Sequence, residues 1–229
     1  MKKTVIFDMD GLMIDSERVT FECYREVLAV WDRSMSVEFY KKILGTTYGV
    51  TAKMLAEEYG DAFDAKAAIG EVHKMMARRF EEEGVPEKRG LRELLEYLKG
   101  KGFKMIVATS SSRSRVDTIL AQSDLAGYFD SSICGDEVVN GKPDPEIFLK
   151  ACRKAGCNPA EAYVLEDSEA GIEAAFAAGI DCVAVPDFKY PKGETAQKAR
   201  WIVSDLNDVI ELFERKEQYG QAGHIEGFG

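Results

Sequence analysis

Residues 4–15 have the sequence TVIFDMDGLMID, and this stretch decides the fold of the chain. Its first four residues are β-branched or aromatic, which predicts a short buried strand over residues 4–7. Asp8 and Asp10 follow directly, and side chains two residues apart in an extended chain point the same way. Two carboxylates so close repel each other unless one is protonated or a cation lies between them. A surface turn is the alternative, because Asp and Gly are turn formers.

The composition is that of a globular protein. The chain has 229 residues, 45% hydrophobic and 31% charged, enough for one large domain or two unequal ones. The formal net charge of −10 argues against nucleic acid or an anionic membrane surface as a partner. We expect no signal peptide and no membrane span, because every apolar run is short. The five cysteines form no C-x-x-C pair, so we expect reduced thiols and a cytoplasmic location.

Several catalytic classes are disfavoured by residues that the chain lacks. It has only two histidines, His73 and His224, which argues against His-rich zinc sites and histidine-nucleophile phosphatases. No G-x-S-x-G is present for a serine hydrolase, and no G-x-x-x-x-G-K-[ST] for a P-loop nucleotide hydrolase. His73 lies within a predicted helix, where a surface or interhelical packing role is expected.

Hydrophobic periodicity divides the chain into a helical block and an alternating block. The helical block follows the first strand, with helices predicted over residues 16–29, 37–44, 50–59 and 65–83. Strands in the alternating block are predicted over residues 103–108, 129–134, 162–165, 181–185 and 201–203. Helices lie beside them at residues 91–99, 113–122, 145–155, 169–178 and 205–216. This alternation predicts an α/β fold with a parallel sheet. Residues 218–229 are expected to form a flexible tail.

Polar side chains follow the predicted strands where each strand ends. The carboxyl ends of parallel strands meet at one edge of a sheet, and ligands bind there. Oxygen ligands without histidine or cysteine favour a hard cation such as Mg²⁺. Hydroxyls at a helix start favour an anion such as phosphate, and a lysine held in a turn adds a positive point charge. The residues expected at this edge are Asp8, Asp10, Thr109, Ser110, Ser111, Ser112, Lys142, Glu166 and Asp167.

Each of these pieces has a plainer interpretation. Residues 109–112 can be an N-cap cluster, Lys142 a solvated turn residue, and residues 166–168 the cap of the next helix. The pieces nevertheless occur in order, each at or just after a predicted strand end. That joint arrangement favours one shared site.

The same residues resemble the four motifs of the haloacid dehalogenase superfamily, in its group of small-molecule phosphatases and phosphomutases. The matching segments are residues 8–11 (DMDG), 107–110 (VATS), 141–145 (GKPDP) and 165–171 (LEDSEAG). The resemblance covers nearly the whole chain. It implies a Rossmann-like parallel-sheet core over residues 1–15 and 85–229, with an inserted all-helical cap domain over residues 16–84.

The resemblance also implies a role for each matching residue. Asp8 would be the nucleophile that forms an aspartyl-phosphate, and Asp10 would act as general acid and then as general base. Lys142 would neutralise the negative charge of the nucleophile and the phosphoryl group. Thr109 would hold a phosphoryl oxygen, helped by backbone N–H groups near Ser110 and Ser111. The implied magnesium ligands are the Asp8 carboxylate, the Asp10 carbonyl and Asp167, with Glu166 bound directly or through water.

The choice within the superfamily rests on a few positions. Asp10 favours phosphoryl transfer, because a dehalogenase of this superfamily needs no acid there. The closest likeness is to β-phosphoglucomutase-like proteins, which carry a histidine in the first cap helix and an arginine after the cap's glycine turn. Thr20 and Tyr48 stand at the comparable places, which weakens the mutase interpretation; Tyr48 remains a candidate substrate contact.

We therefore predict a magnesium-dependent phosphatase that hydrolyses a small phosphomonoester, with a sugar phosphate as the leading candidate. A phosphomutase of the β-phosphoglucomutase type is the alternative enzyme. A non-catalytic relative that binds a metabolite or a partner protein is the alternative of another class. The expected partner is a small phosphorylated metabolite, and the expected state is a monomer or weak homodimer.

Overall fold

A six-stranded parallel sheet lies at the centre of the computed structural model, which describes residues 2–60 and 62–219. The spatial order of the strands is β3-β2-β1-β4-β5-β6, and each neighbouring pair is parallel. The strands are β1 (Thr4–Phe7), β2 (Lys104–Ala108), β3 (Ser131–Ile133), β4 (Ala162–Glu166), β5 (Asp181–Ala184) and β6 (Trp201–Ile202). The predicted α/β fold with a Rossmann-like parallel sheet is confirmed.

Two compact units make up the structure. One holds the described residues of Met1–Ile14 and Glu87–Gly229, and the other holds those of Asp15–Pro86. The helices of the second unit are α1 (Ser16–Ala29), α2 (Val37–Ile43), α3 (Tyr48–Tyr59) and α4 (Ala65–Glu83). Those of the sheet unit are α5 (Leu91–Gly100), α6 (Arg113–Gln122), α7 (Glu146–Ala155), α8 (Glu169–Ala177), α9 (Gly193–Lys198) and α10 (Leu206–Tyr219).

Burial of β1 explains its place in the middle of the sheet. All four of its residues are buried, and strands that are covered on both faces are apolar throughout rather than alternating. Ile6 packs with Val164, Phe148 and Ile172 in one core cluster. Each such side chain contributes about 1.5–3 kcal/mol through burial. Phe7 lies opposite Val107 and Leu165, so the residues that follow these three strands reach one edge together. We call this edge the carboxyl edge.

The chain leaves and re-enters the sheet unit at adjacent points. Ile14 forms an antiparallel bridge with Glu87, and the Lys88 N–H donates to the Met13 carbonyl at 2.9 Å. The insertion therefore begins and ends at backbone positions that are hydrogen-bonded neighbours. Within the ranges that the structure describes, no helix has the length and apolar character needed to span a bilayer.

The observed elements differ from the predicted ones mainly at their ends. Helix α9 was not predicted, because its six residues, GETAQK, carry no apolar periodicity. Helix α10 continues to Tyr219, three residues beyond the predicted end, so the predicted flexible tail from residue 218 starts too early. The rest of that predicted tail, residues 220–229, lies outside the described residues, as does His224.

Candidate active site

Asp8 and Asp10 lie where β1 ends. The Asp8 N–H donates to the Leu165 carbonyl at 3.0 Å, so the ladder holds Asp8 in register with β4. Gly11 then turns the chain with a φ of 83°, a conformation that glycine adopts without strain. The Gly11 N–H donates to the Ile14 carbonyl at 3.0 Å and closes the bend. The Asp8 side chain is buried, with 9% of its surface exposed.

Lys142, in the GKPDP motif, contacts a residue of the DMDG motif and a residue of the LEDSEAG motif. Its Nζ lies 2.5 Å from Asp8 Oδ1, 2.5 Å from Glu166 Oε1 and 3.2 Å from the Ala108 carbonyl. The Lys142 ammonium lies over the ring of Phe148, the third residue of α7, at 4.9 Å from the ring centroid. The alternative interpretation of Lys142 as a solvated turn residue is therefore excluded, since the side chain is only 6% exposed.

Two buried carboxyl groups share the single ammonium of Lys142, so this group of three carries one excess negative charge when both carboxyls are ionised. Burial raises the pKa of the Asp8 carboxyl to about 7; Lys142 opposes the rise, and the carboxylates of Glu166 and Asp10 add to it. Burial alone would lower the pKa of Lys142, but attraction to Asp8 and Glu166 holds it above its ordinary value. The Lys142 ammonium thus stays charged, and burial disfavours the charged form of Asp8 instead.

Glu166 is fully committed to contacts inside the protein. Its Oε1 accepts from Lys142, and its Oε2 accepts from the backbone N–H groups of Asp167 and Ser168 and from the Ser168 hydroxyl, each at 3.0 Å. A Cβ placed on Gly171 in α8 would overlap this carboxylate, so only glycine leaves room for it. The geometry makes Glu166 the anchor of Lys142.

The hydroxyl cluster after β2 forms a folded loop at the carboxyl edge. The Thr109 N–H donates to the Ile133 carbonyl at 3.1 Å, and the Thr109 hydroxyl, which is buried, accepts from the Ser111 N–H at 3.1 Å. A Cβ on Gly135 would overlap the Ser110 carbonyl, so the loop lies directly against this glycine. Ser112 caps α6 as predicted by the N-cap interpretation. The Ser111 N–H, predicted to face phosphate, is thus bonded to Thr109 in this structure.

Asp10 has two partners that the sequence analysis missed. Arg115 Nη2 lies 2.7 Å from Asp10 Oδ1, and the Ser111 hydroxyl donates to Asp10 Oδ2 at 2.7 Å. Arg115 stands in the first turn of α6, which starts close after β2. A basic residue in the first turn of a helix that begins at the carboxyl edge is the signal that could have identified it.

Asp167 and Tyr48, two further predicted site residues, lie in different units. A Cβ on Gly11 would overlap the Asp167 carboxylate, so Asp167 lies against the bend that carries Asp8 and Asp10. Tyr48, the first residue of α3, belongs to the other unit and is 53% exposed. Over residues 2–60 and 62–219, no three acidic, histidine or cysteine side chains are already gathered as a metal centre.

A family model described as haloacid dehalogenase-like hydrolase matches residues 5–185. The chain belongs to this haloacid dehalogenase-like hydrolase family. The match spans both units and all four motif segments, so the resemblance predicted from the motifs is confirmed.

Individual relatives agree with the family. The hydrolase is 38% identical over 181 residues to a phosphorylated carbohydrates phosphatase from Thermotoga maritima, covering 78% of this chain and 82% of the relative. It is 33% identical over 214 residues to protein CbbY from Rhodobacter capsulatus, covering 90% and 94%. A solved Thermotoga maritima structure, described provisionally as a β-phosphoglucomutase, aligns with a TM-score of 0.77 at 32% identity, covering 93% and 99%. The predicted enzyme class, a phosphoric monoester hydrolase, is confirmed.

Proposed function

We propose that the protein hydrolyses a phosphorylated sugar or a similar small phosphomonoester, with Asp8 as the nucleophile. One observation carries the proposal: Lys142 holds the buried carboxylates of Asp8 and Glu166 together at the carboxyl edge. An ion pair that only stabilised the fold would need one carboxylate. The second carboxylate leaves a negative charge beside Lys142, and unbalanced buried charges of this kind are typical of catalytic sites. The relative named for phosphorylated carbohydrates supports the substrate class.

The proposed reaction has two steps, both at phosphorus. In the first, an Asp8 carboxylate oxygen attacks the phosphorus and the bond to the leaving oxygen breaks. Asp10, which enters this step protonated, gives its proton to that oxygen and becomes a carboxylate. In the second, water attacks the aspartyl-phosphate, Asp10 takes its proton, and Asp8 and inorganic phosphate are released. Lys142 lowers the repulsion between the Asp8 carboxylate and the incoming anion, and Thr109 positions a phosphoryl oxygen.

The residues beside Asp8 fit a bound Mg²⁺. The site offers oxygen donors and an uncompensated negative charge, and Asp167 lies against the bend at Gly11. Magnesium is usually held by one or two carboxylates together with water and substrate phosphate, so a preformed group of three side chains is not required. We propose the carboxylates of Asp8 and Asp167 and the Asp10 carbonyl as its ligands. Glu166 is proposed to act through Lys142 instead of binding the metal. When bound, the ion would neutralise phosphate charge.

The helical unit is proposed to act as the cap that selects the substrate. Tyr48 supports this because its ring is largely exposed and available to a ligand. Thr20 supports hydrolysis over mutase chemistry: its hydroxyl donates to the Ser16 carbonyl at 2.7 Å and contacts Met76 Sδ at 3.2 Å. A hydroxyl bonded within its own helix and unable to titrate near neutral pH cannot replace a histidine.

A screen of phosphorylated metabolites tests the proposal. Released inorganic phosphate is measured with magnesium and with chelator, for the wild type and for Asp8→Asn. We expect release from sugar phosphates that needs both magnesium and Asp8. Interconversion of hexose phosphates without net release would establish the mutase alternative, which the β-phosphoglucomutase neighbour favours. Substrate binding without turnover would establish the non-catalytic alternative.

A further inference from the structure

Arg115 contacts Asp10 but has no part in the reaction described above. We propose that Arg115 is a positioning residue that holds the Asp10 carboxylate in the direction needed for proton exchange with the leaving oxygen. The inference rests on the proposed function, because it gives Arg115 its effect through the acid–base role of Asp10.

Two hydrogen bonds hold the carboxylate of Asp10 from its two ends. Oδ1 accepts from Arg115 Nη2 and Oδ2 accepts from the Ser111 hydroxyl, both at 2.7 Å. The backbone of Asp10 is fixed by its bridge to Ile14, but its side chain is 25% exposed and could rotate. A carboxylate held at both oxygens loses that rotation, so the two donors together determine its direction.

Arg115 is itself held in place by its helix. Its N–H donates to the Ser112 hydroxyl, the N-cap of α6, and its side chain extends to the carboxyl edge. Arg113, two residues earlier, does something different: it binds the Ser132 carbonyl at 3.1 Å and forms an ion pair with Glu137. One arginine of this turn therefore ties α6 to β3 and to the segment that follows it, and the other contacts a proposed reactive group.

If Arg115 acts through Asp10, the effect of removing Arg115 should depend on whether the leaving group needs a proton. In the first step the electrons of the broken P–O bond pass to the leaving oxygen, which becomes an alkoxide unless Asp10 supplies a proton. An alcohol leaving group therefore needs a well-directed Asp10. A nitrophenolate leaving group is stable without a proton, so it does not need a well-directed Asp10. The value of kcat/KM reports only the steps up to release of the leaving group, so it isolates this difference.

Steady-state kinetics of Arg115→Ala and Arg115→Lys tests the inference. The substrates are a sugar phosphate that the wild type hydrolyses and 4-nitrophenyl phosphate, both with magnesium. General acid catalysis typically contributes about 10²–10⁴-fold, so we expect Arg115→Ala to lower kcat/KM for the sugar phosphate by about 10- to 100-fold. For 4-nitrophenyl phosphate we expect a loss of less than about threefold, and partial recovery in Arg115→Lys for the sugar phosphate. Arg215→Ala is the control, since Arg215 pairs with Glu211 on α10.

A double variant completes the test. If Arg115 acts through Asp10, adding Arg115→Ala to Asp10→Asn changes kcat/KM no further. Equal losses for both substrates, no loss for either, or a full additional loss in the Asp10→Asn background would overturn the inference. Failure of the proposed function is visible separately, because the wild type would then release phosphate from neither substrate. Urea midpoints of all variants exclude unfolding as the cause of a loss.

Discussion

At the scale of single residues, Lys142 is the most consequential side chain of the site. We expect Lys142→Met to destabilise the protein by about 3–5 kcal/mol, because it leaves two buried carboxylates without a counter-charge. Lys189→Met is the matched control: Lys189 pairs with Glu169 but is 51% exposed, so about 1 kcal/mol or less is expected. Urea denaturation at neutral pH measures both. A loss at Lys142 no larger than the control would contradict the expectation.

Asp8 gives the molecule a predictable pH dependence. Its carboxyl has an ordinary pKa of 3.8 and a pKa of about 7 in the folded chain, so between these values the folded state binds more protons than the unfolded state. The free energy of unfolding must then fall as pH rises through that window. The side chain in Asp8→Asn does not titrate, so this fall in the free energy of unfolding is absent from the variant. In chelator, we expect its urea midpoint to exceed that of the wild type at pH 8 and to approach it near pH 4. A difference that does not vary with pH would contradict this.

Most individual site residues could be predicted from sequence because each stands at the end of a strand or in the loop that follows one. Asp8 and Thr109 directly follow β1 and β2, Glu166 ends β4, and Lys142 lies in the loop after β3. Asp8, Thr109, Lys142 and Glu166 needed only the strand ends and a parallel sheet to be placed together. Partner choice could not be predicted. Nothing in the spacing says that Lys142 binds two carboxylates, because that depends on how α7 and α8 pack.

Arg115 could not be identified from the sequence for a related reason. It lies outside the four motif segments, and its reach to Asp10 depends on the direction in which α6 leaves the loop after β2. The direction of each side chain on a helix depends on the residue at which the helix starts. An error of one residue in the predicted start would therefore point the Arg115 side chain in another direction.

At the scale of elements, α8 can approach β4 only because residue 171 is glycine. We expect Gly171→Ala to destabilise the protein by about 1–3 kcal/mol, since the new methyl group would overlap the Glu166 carboxylate. Gly70→Ala is the matched control, in the interior of α4 with open space around it. There the better helix propensity of alanine should stabilise by about 1 kcal/mol. Urea midpoints distinguish the two, and shifts of the same sign would contradict the packing argument.

The elements were predictable where apolar periodicity was strong. The bounds of α1, α4 and α6 are those predicted, because each has a clear apolar face and a polar residue before its first turn. Helix α9 has neither an apolar face nor more than six residues, and tertiary contacts must stabilise it.

At the scale of the whole molecule, a ligand that binds only the folded state raises the stability of the entire chain. We expect Mg²⁺ to raise the thermal midpoint of the wild type, with a gain of about 2.7 kcal/mol at one hundred times its Kd. Asp167→Asn should remove most of this gain. A monovalent salt at equal ionic strength is the control for charge screening. Equal shifts in wild type and variant, or none in either, would contradict the proposed ligand set.

The adjacent exit and return of the chain at Ile14 and Glu87 has an evolutionary consequence. An insertion whose two ends are already hydrogen-bonded neighbours replaces a tight turn, and closing a longer loop there adds little entropy cost. Segments of different length and sequence can therefore be exchanged at this point while the sheet keeps its register. Every residue proposed for phosphoryl transfer lies in the other unit. Descendants of such a chain can acquire new substrates by changing one continuous segment and leave the chemistry untouched.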